Sequence, residues 1–179
     1  MPIGLISLAA GLSACSPRVP WHAPPAQLAM PQGTDPQPEV RLLKMNGLDA
    51  KFAVLAGVDG AGTGTGRKWT DDTARFQFRV SDLSASDLYL RYAVPEVTFR
   101  QTGPVRVSID VNGKPFDSFL RTAPGDGEFR HPADGILAKP FEPFIVSIRI
   151  NPPYVAKDDN AKLGILLDEI GFVPRGGQR

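Results

Sequence analysis

Two histidines, one cysteine and nineteen Asp and Glu residues are the material in this 179-residue chain for nucleophilic, metal or acid–base chemistry. His22 lies in a proline-rich stretch and His131 in Arg130-His131-Pro132. No Gly-x-Ser-x-Gly accompanies either, so a serine nucleophile lacks its base. A glycosidase needs two carboxyls facing each other across a cleft, and Asp71, Asp72, Glu96, Asp126 and Glu128 are available. Their spacing selects no pair, and solvated turns are the simpler account. His131 with Asp126 and Asp134 is a metal set on paper only, for the same reason. Asp158-Asp159-Asn160 offers Asp158 and Asp159 to a structural calcium. The competing account is a turn whose Asp and Asn side chains bond their own backbone. Residues 57–68, which contain five glycines, lack the Gly-Lys-Ser/Thr step into a helix that a phosphate loop needs, and read as a loop.

Sugar recognition uses aromatic rings for stacking, with Asn, Asp and Arg for the hydroxyls. The rings to consider are Trp69, Tyr89, Tyr92, Phe99 and Tyr154. Phe76, Phe78 and Tyr92 follow the apolar phase of their segments and read as core. Tyr89 falls between Leu88 and Leu90, on the outward phase with Arg91, and Arg79 also points outward. Tyr89, Arg91 and Arg79 make a basic-aromatic patch suited to an anionic glycan; Trp69, which also reads as a packing residue at the sandwich edge, joins Tyr89 and Arg91 as the candidate ligand-binding residues.

The elements that must carry them are strands. Residues 105–112 alternate apolar and polar without a break, as do 75–80, and the odd-even pattern recurs at Leu88, Leu90 and Tyr92 and at Val146, Ile148 and Ile150. One wet and one dry face belong to antiparallel sheets. Asn112-Gly113 is a hairpin signal, since a type I′ turn needs positive φ at both central residues. Eighteen Pro and eighteen Gly suit many short strands and turns and exclude a helical bundle. The expected strands span 50–56, 67–70, 74–80, 87–92, 96–100, 104–111, 115–121, 143–150 and 163–173. The fold class is all-β, an antiparallel two-sheet β-sandwich of jelly-roll type. Twenty Lys and Arg against nineteen Asp and Glu leave no basic excess to argue for nucleic acid.

The order of Arg67-Lys68-Trp69-Thr70, alternating strands, the Asn112-Gly113 turn and Asp159-Asn160-Ala161-Lys162-Leu163-Gly164-Ile165 resembles the galactose-binding-like jelly roll. That family occurs as accessory domains on bacterial envelope glycosyltransferases and in carbohydrate-binding modules. Lys68 is inserted before Trp69 and Lys162 is offset from the family's arginine, so the likeness, over about 120 residues, implies fold more than ligand.

Residues 3–10 match a secretory signal core in length and are too short to span a bilayer. The run closes with Leu12-Ser13-Ala14-Cys15, which resembles the lipobox of bacterial lipoproteins. The resemblance implies cleavage before Cys15, acylation of its thiol and membrane anchoring; Ser16 after the cysteine implies the outer membrane. No Lys or Arg precedes the apolar core, so the basic residues of such a signal are expected upstream of Met1. Residues 16–38 hold seven prolines and no apolar period. At ~3.1 Å per residue they reach roughly 70 Å, a tether. Trp21 and His22 within it offer a contact point, incidental unless a partner exists. The expected organisation is a lipoprotein signal peptide (1–14), a Pro-rich tether (15–40), the β-sandwich (41–175) and a disordered tail (176–179). The expected function is a non-catalytic envelope lipoprotein, in the periplasm or at the cell surface, that binds a saccharide or docks on polysaccharide-handling machinery. A structural lipoprotein binding another envelope protein is the second possibility and a glycan hydrolase the third. No cofactor is expected beyond the calcium.

Overall fold

The computed structural model describes residues 38–59 and 66–176. The signal peptide, Cys15, Trp21, His22, all but the end of the tether, residues 60–65 of the glycine-rich loop and residues 177–179 of the tail lie outside the described residues. Among the described residues ten strands, two short α-helices and one 3-10 turn (Ala133–Gly135, between β7 and β8) follow in order. They are β1 (Leu42–Lys44), α1 (Ala50–Ala53), β2 (Val54–Val58), β3 (Lys68–Phe78), β4 (Ser86–Val94), α2 (Glu96–Thr102), β5 (Val105–Val111), β6 (Lys114–Arg121), β7 (Gly125–Pro132), β8 (Phe144–Asn151), β9 (Tyr154–Val155) and β10 (Lys162–Pro174).

Every strand pair is antiparallel. Sheet I places β10 between β4 on one side and β1 and the start of β3 on the other, with β7 outside β4. Sheet II runs β6-β5-β8-β3-β2. The strand β3 belongs to both: residues 68–71 pair with β10, and residues 73–78 pair with β8. On the far side the edge strands β6 and β7 meet through side chains. Phe119 stacks on Phe129 at 4.6 Å, and His131 Nδ1 lies 2.6 Å from Asp117 Oδ2. The architecture is thus the expected all-β two-sheet sandwich, nearly closed on itself.

The dry phases of the strands meet inside. Phe76, Phe78, Leu88, Leu90, Ile148, Leu167 and Ile170 are fully buried, and Tyr92 joins them, as its alternation implies. Asn112 and Gly113 have φ of 50° and 75°, the two positive values the β5–β6 hairpin requires.

Four of the expected boundaries change. Residues 50–53 of the first expected strand are helical, because Ala50 and Ala53 bury against the sheet while Lys51 and Phe52 between them face solvent. Residues 96–100 form α2 instead of a strand. Pro95 precedes the first turn, Arg100 Nε bonds Glu96 Oε1 at 3.0 Å across i,i+4, and the helix stops at Gly103. The segments at 67–70 and 74–80 merge into β3, since one strand crosses from sheet to sheet. Residues 125–132, outside all the expected strands because Pro124-Gly125-Asp126-Gly127 has the composition of a turn, form β7. Gly127 is there for room: a Cβ at this position would lie 2.7 Å from Cζ of Tyr92.

Candidate functional site

Side chains of paired residues share a face, so the registers lay out the outer surface of sheet I in rows. Trp69, Leu166, Ala93 and Asp126 form one row across β3, β10, β4 and β7. Lys44, Glu169, Arg91 and Glu128 form the next, and Leu42, Gly171, Tyr89 and Arg130 the third. The three ligand-binding candidates Trp69, Tyr89 and Arg91 therefore lie on one face.

Their states differ from the expected open patch. Tyr89 is only 3% exposed, because β4 is flanked on both sides and its outer face is roofed by β7 side chains. The Arg130 guanidinium sits 4.9 Å from the Tyr89 ring centroid, occupying the place a sugar would stack, and the Tyr89 hydroxyl donates to Glu128 Oε1 at 2.9 Å. Tyr89 is a buried, capped ring, which corrects its expected outward exposure. Arg91 is half-exposed but committed: Nε donates to Asp168 Oδ2 at 2.8 Å and Nη2 to Glu169 Oε1 at 3.2 Å. Burial works against the Arg91 charge, but the Asp168 hydrogen bond and the Glu169 and Asp168 charges outweigh it and raise its pKa. Arg79 lies on the other sheet, bridged through its backbone to Val40, and does not join this face. Phe99 is on α2 and Tyr154 on β9, both half-buried and off these rows.

A depression of about 540 Å³ on this face is lined by Arg67, Arg91, Asp126, Gly127, Glu128 and Asp168. A second, of about 440 Å³, shares Arg67 and Asp126 and continues along Ala93, Pro95, Glu96 and Leu166 to the Trp69 row. Arg67 Nη1 donates to Asp126 Oδ1 at 2.7 Å, and its Nε is 3.9 Å from Asp168 Oδ2. Asp168 occupies a β-bulge between Leu167 and Glu169, the extra residue that turns its carboxylate into the groove. The result is a shallow channel with guanidinium donors and carboxylate acceptors fixed by one another, and Trp69 half-buried in the row at its end.

Of the five carboxylates considered for catalysis, Asp126 and Glu128 share the first depression and Glu96 lines the second with Asp126. Asp72 lies 3.9 Å from Lys162, Glu96 pairs with Arg100 on α2, and Asp71 is exposed opposite Leu163. Asp168, Glu169, Arg67, Lys44 and Arg130 are the residues sequence reasoning missed. The only signal was two adjacent acids, Asp168-Glu169, interrupting the apolar run of the last strand. His131 pairs with Asp117, Asp134 with Arg175 and Asp126 with Arg67, so the paper metal set is dispersed. Among the described residues no group of three or more His, Cys, Asp or Glu is gathered for a metal. Asp158 and Asp159 are exposed, and Asp159 Oδ1 accepts the Ala161 N–H at 2.9 Å, the bond of an Asx turn.

No protein-family model matches the chain, and no curated protein does. Among solved structures it is similar to a family 35 carbohydrate-binding module from an environmental isolate, at 12% identity over 78% of this chain and 100% of that one, with a TM-score of 0.44. It is similar to a CBM35 from Cellvibrio japonicus at 16% identity over 75% and 92%, TM-score 0.38. It is also similar to part of an exo-beta-1,3-galactanase from Phanerochaete chrysosporium, at 12% identity over 76% of this chain and 29% of that one, TM-score 0.43. The chain thus spans less than a third of that enzyme, and 18% of a 4-O-methyl-alpha-glucuronidase it also resembles.

Burial, with the Glu128 hydrogen bond adding, raises the Tyr89 pKa, and burial raises that of Tyr92. A phenol whose pKa rises on folding contributes its full stability below the unfolded value near ~10 and loses it as pH climbs through the folded value. Phenolate absorbance is therefore expected to rise late in an alkaline titration, and Tyr89→Phe and Tyr92→Phe should each delete part of that late phase. Retention of the whole late phase in both variants would contradict the burial.

Proposed function

We propose that this chain is a non-catalytic saccharide-binding lipoprotein of the bacterial cell envelope, anchored through Cys15 at the outer membrane and presenting its sandwich on the Pro-rich tether. The groove on the outer face of sheet I carries the binding half of the reading. Ring hydroxyls need donors and acceptors held at fixed positions, and Arg67, Asp126, Glu128, Arg91 and Asp168 supply both kinds within one channel. Trp69, beside Leu166 on the row that borders the groove, is the ring nearest to hand for stacking. The groove is lined by two guanidiniums and four carboxylates, which disfavours an anionic ligand and favours a neutral, hydroxyl-rich one there. Asp126, Glu128 and Asp168 each already hold a guanidinium or phenol partner, which supports reading them as fixed acceptors and not as a catalytic pair. Such contact needs no cofactor.

The test is calorimetric titration of the chain, with Cys15→Ser for solubility, against envelope and exopolysaccharide oligosaccharides. One glycan class is expected to give saturable heat. Trp69→Ala and Asp126→Ala should each weaken that binding by about tenfold, the scale of a lost stacking ring or fixed hydrogen-bond partner. No heat with any glycan would end the binding reading. The anchor has its own test: Cys15→Ser should release the protein from the membrane fraction and abolish fatty-acid labelling, and unchanged fractionation would contradict it.

A second reading, docking on another envelope protein, is favoured by one feature. Leu48, Phe52 and Leu55 are 78%, 83% and 44% exposed at i, i+4 and i+7 around α1. Beside them lies a depression of about 250 Å³, lined mostly by apolar Pro38, Val40, Phe52, Ala53 and Phe78 and bordered by Asp49, Gln77 and Arg79. Crosslinking in the native envelope that depends on Phe52 would support it.

A further inference from the structure

The opposite face of the sandwich has a different character. The registers of β5, β8 and residues 73–78 of β3 place ten side chains on the outer surface of sheet II, three of them arginines. Arg106 on β5 is paired with Asn151, two residues along β8 from Arg149. Arg149 is paired with Thr73, two residues along β3 from Arg75. The three arginine positions therefore lie on a straight diagonal over adjacent strands, successive positions about 7–8 Å apart. All three residues are exposed.

Only one carboxylate shares these ten positions. Asp110 accepts from Arg149 Nη2 at 2.7 Å. Arg75 and Arg106 make no ion pair or side-chain hydrogen bond among the described residues. The positions flanking the diagonal are three hydroxyls, Thr73, Ser108 and Ser147, and the amide of Asn151, with Ser118 opposite Ser108 on β6. No aromatic stands among the ten to stack a base, and Ile145, half-buried, is their one large apolar side chain; Leu120 of β6, opposite Arg106, is 48% exposed, a single apolar residue at the edge and too little to anchor in a bilayer.

We propose that this arginine diagonal is a second binding surface, for a linear acidic polysaccharide. Carboxylates along such a chain pair with guanidiniums in the bidentate geometry that Arg favours. Its hydroxyls meet the serine and threonine side chains beside them. The diagonal is a line, which a chain molecule follows and a compact anion does not. The surface is distinct from the Trp69 groove on the other sheet and does not depend on that groove binding anything.

The probe is polygalacturonate, with neutral dextran and vesicles of anionic phospholipid alongside, titrated into the full chain carrying Cys15→Ser. Polygalacturonate is expected to bind at low salt and to weaken by about tenfold between 50 and 200 mM salt, as displaced counterions return. Arg75→Glu with Arg106→Glu should weaken it about tenfold further, and Lys157→Glu, elsewhere on the surface, should leave it unchanged. Trp69→Ala, in the row that borders the groove, should not affect it either, which separates this surface from the groove. Because Arg75 and Arg106 make no ion pair among the described residues, the melting temperature should hold; Arg75→Gln with Arg106→Gln repeats the test without reversed charge. Absence of polygalacturonate binding, or binding indifferent to both double variants, overturns the proposal. Binding of the vesicles and not of polygalacturonate overturns it in favour of a membrane surface.

Discussion

Arg91→Met is expected to lower the unfolding free energy by about 2–3 kcal/mol. The Glu169 side chain it faces is 2% exposed, and its Oε1 accepts from Arg91 Nη2 at 3.2 Å with Lys44 Nζ 3.8 Å away. Removing the guanidinium takes a cationic donor from that buried carboxylate and strips Asp168 of its 2.8 Å donor. A fully buried pair broken this way costs about 3–5 kcal/mol. The figure is lower here because Arg91 itself is 40% exposed and water reaches the gap. The double variant Arg91→Met with Glu169→Met should recover most of the loss, since two apolar side chains of similar reach replace both charges. Urea unfolding of the four proteins in the cycle measures the coupling. A single-variant loss below about 0.5 kcal/mol would mean that the network is only a solvated surface feature. The result bears on function as well, because any loss of ligand binding in an Arg91 variant must first be separated from loosening of the groove wall it braces.

Phe78→Ala should cost more, about 3–5 kcal/mol, and is the larger effect expected of a single truncation. Phe78 is fully buried where the two sheets meet. Its ring is edge-on to Phe172 at 5.3 Å and tilted to Phe144 at 6.2 Å, and Phe144 and Phe172 are themselves 5.5 Å apart. Phe78 and Phe144 are register partners in sheet II, whereas Phe172 comes from β10 of sheet I, so the three rings pin one sheet to the other. The cavity left by alanine cannot close without moving a strand, which is why both transfer and cavity contributions are lost. Phe52→Ala is the contrast: at 83% exposure its loss should stay within about 0.5 kcal/mol. Equal destabilisation by the two would contradict the assigned core.

Where sequence reasoning failed, it did so for local reasons that tertiary packing overrode. The stretch at Gly125 and Gly127 carries turn residues, yet it is a strand, because Tyr92 needs the space a side chain at 127 would fill. Val97 and Phe99 alternate like strand residues, but Pro95 before them, Gly103 after them and the Glu96–Arg100 pair favour a helical turn. Tyr89 sits on the outward phase as its alternation demands; what alternation could not show is that Arg130, from a strand forty residues away, would lie on top of it.

The sequence by itself determined the class of the fold and the identity of its core. Period-two alternation marks which side of a strand is dry wherever one face meets water, and the Asn112-Gly113 pair permits little but a tight hairpin. Those signals are local, and they survive in any tertiary arrangement. The groove is different in kind. Trp69, Arg91, Asp126 and Asp168 come from four strands, and only the pairing order of sheet I and the bulge at Asp168 bring them to one face. The arginine diagonal likewise exists only in the registers of β5, β8 and β3. A residue's type and phase can be read from its neighbours in the chain, but which strands lie beside it is settled by long-range pairing, and binding surfaces on a sheet are made of that pairing.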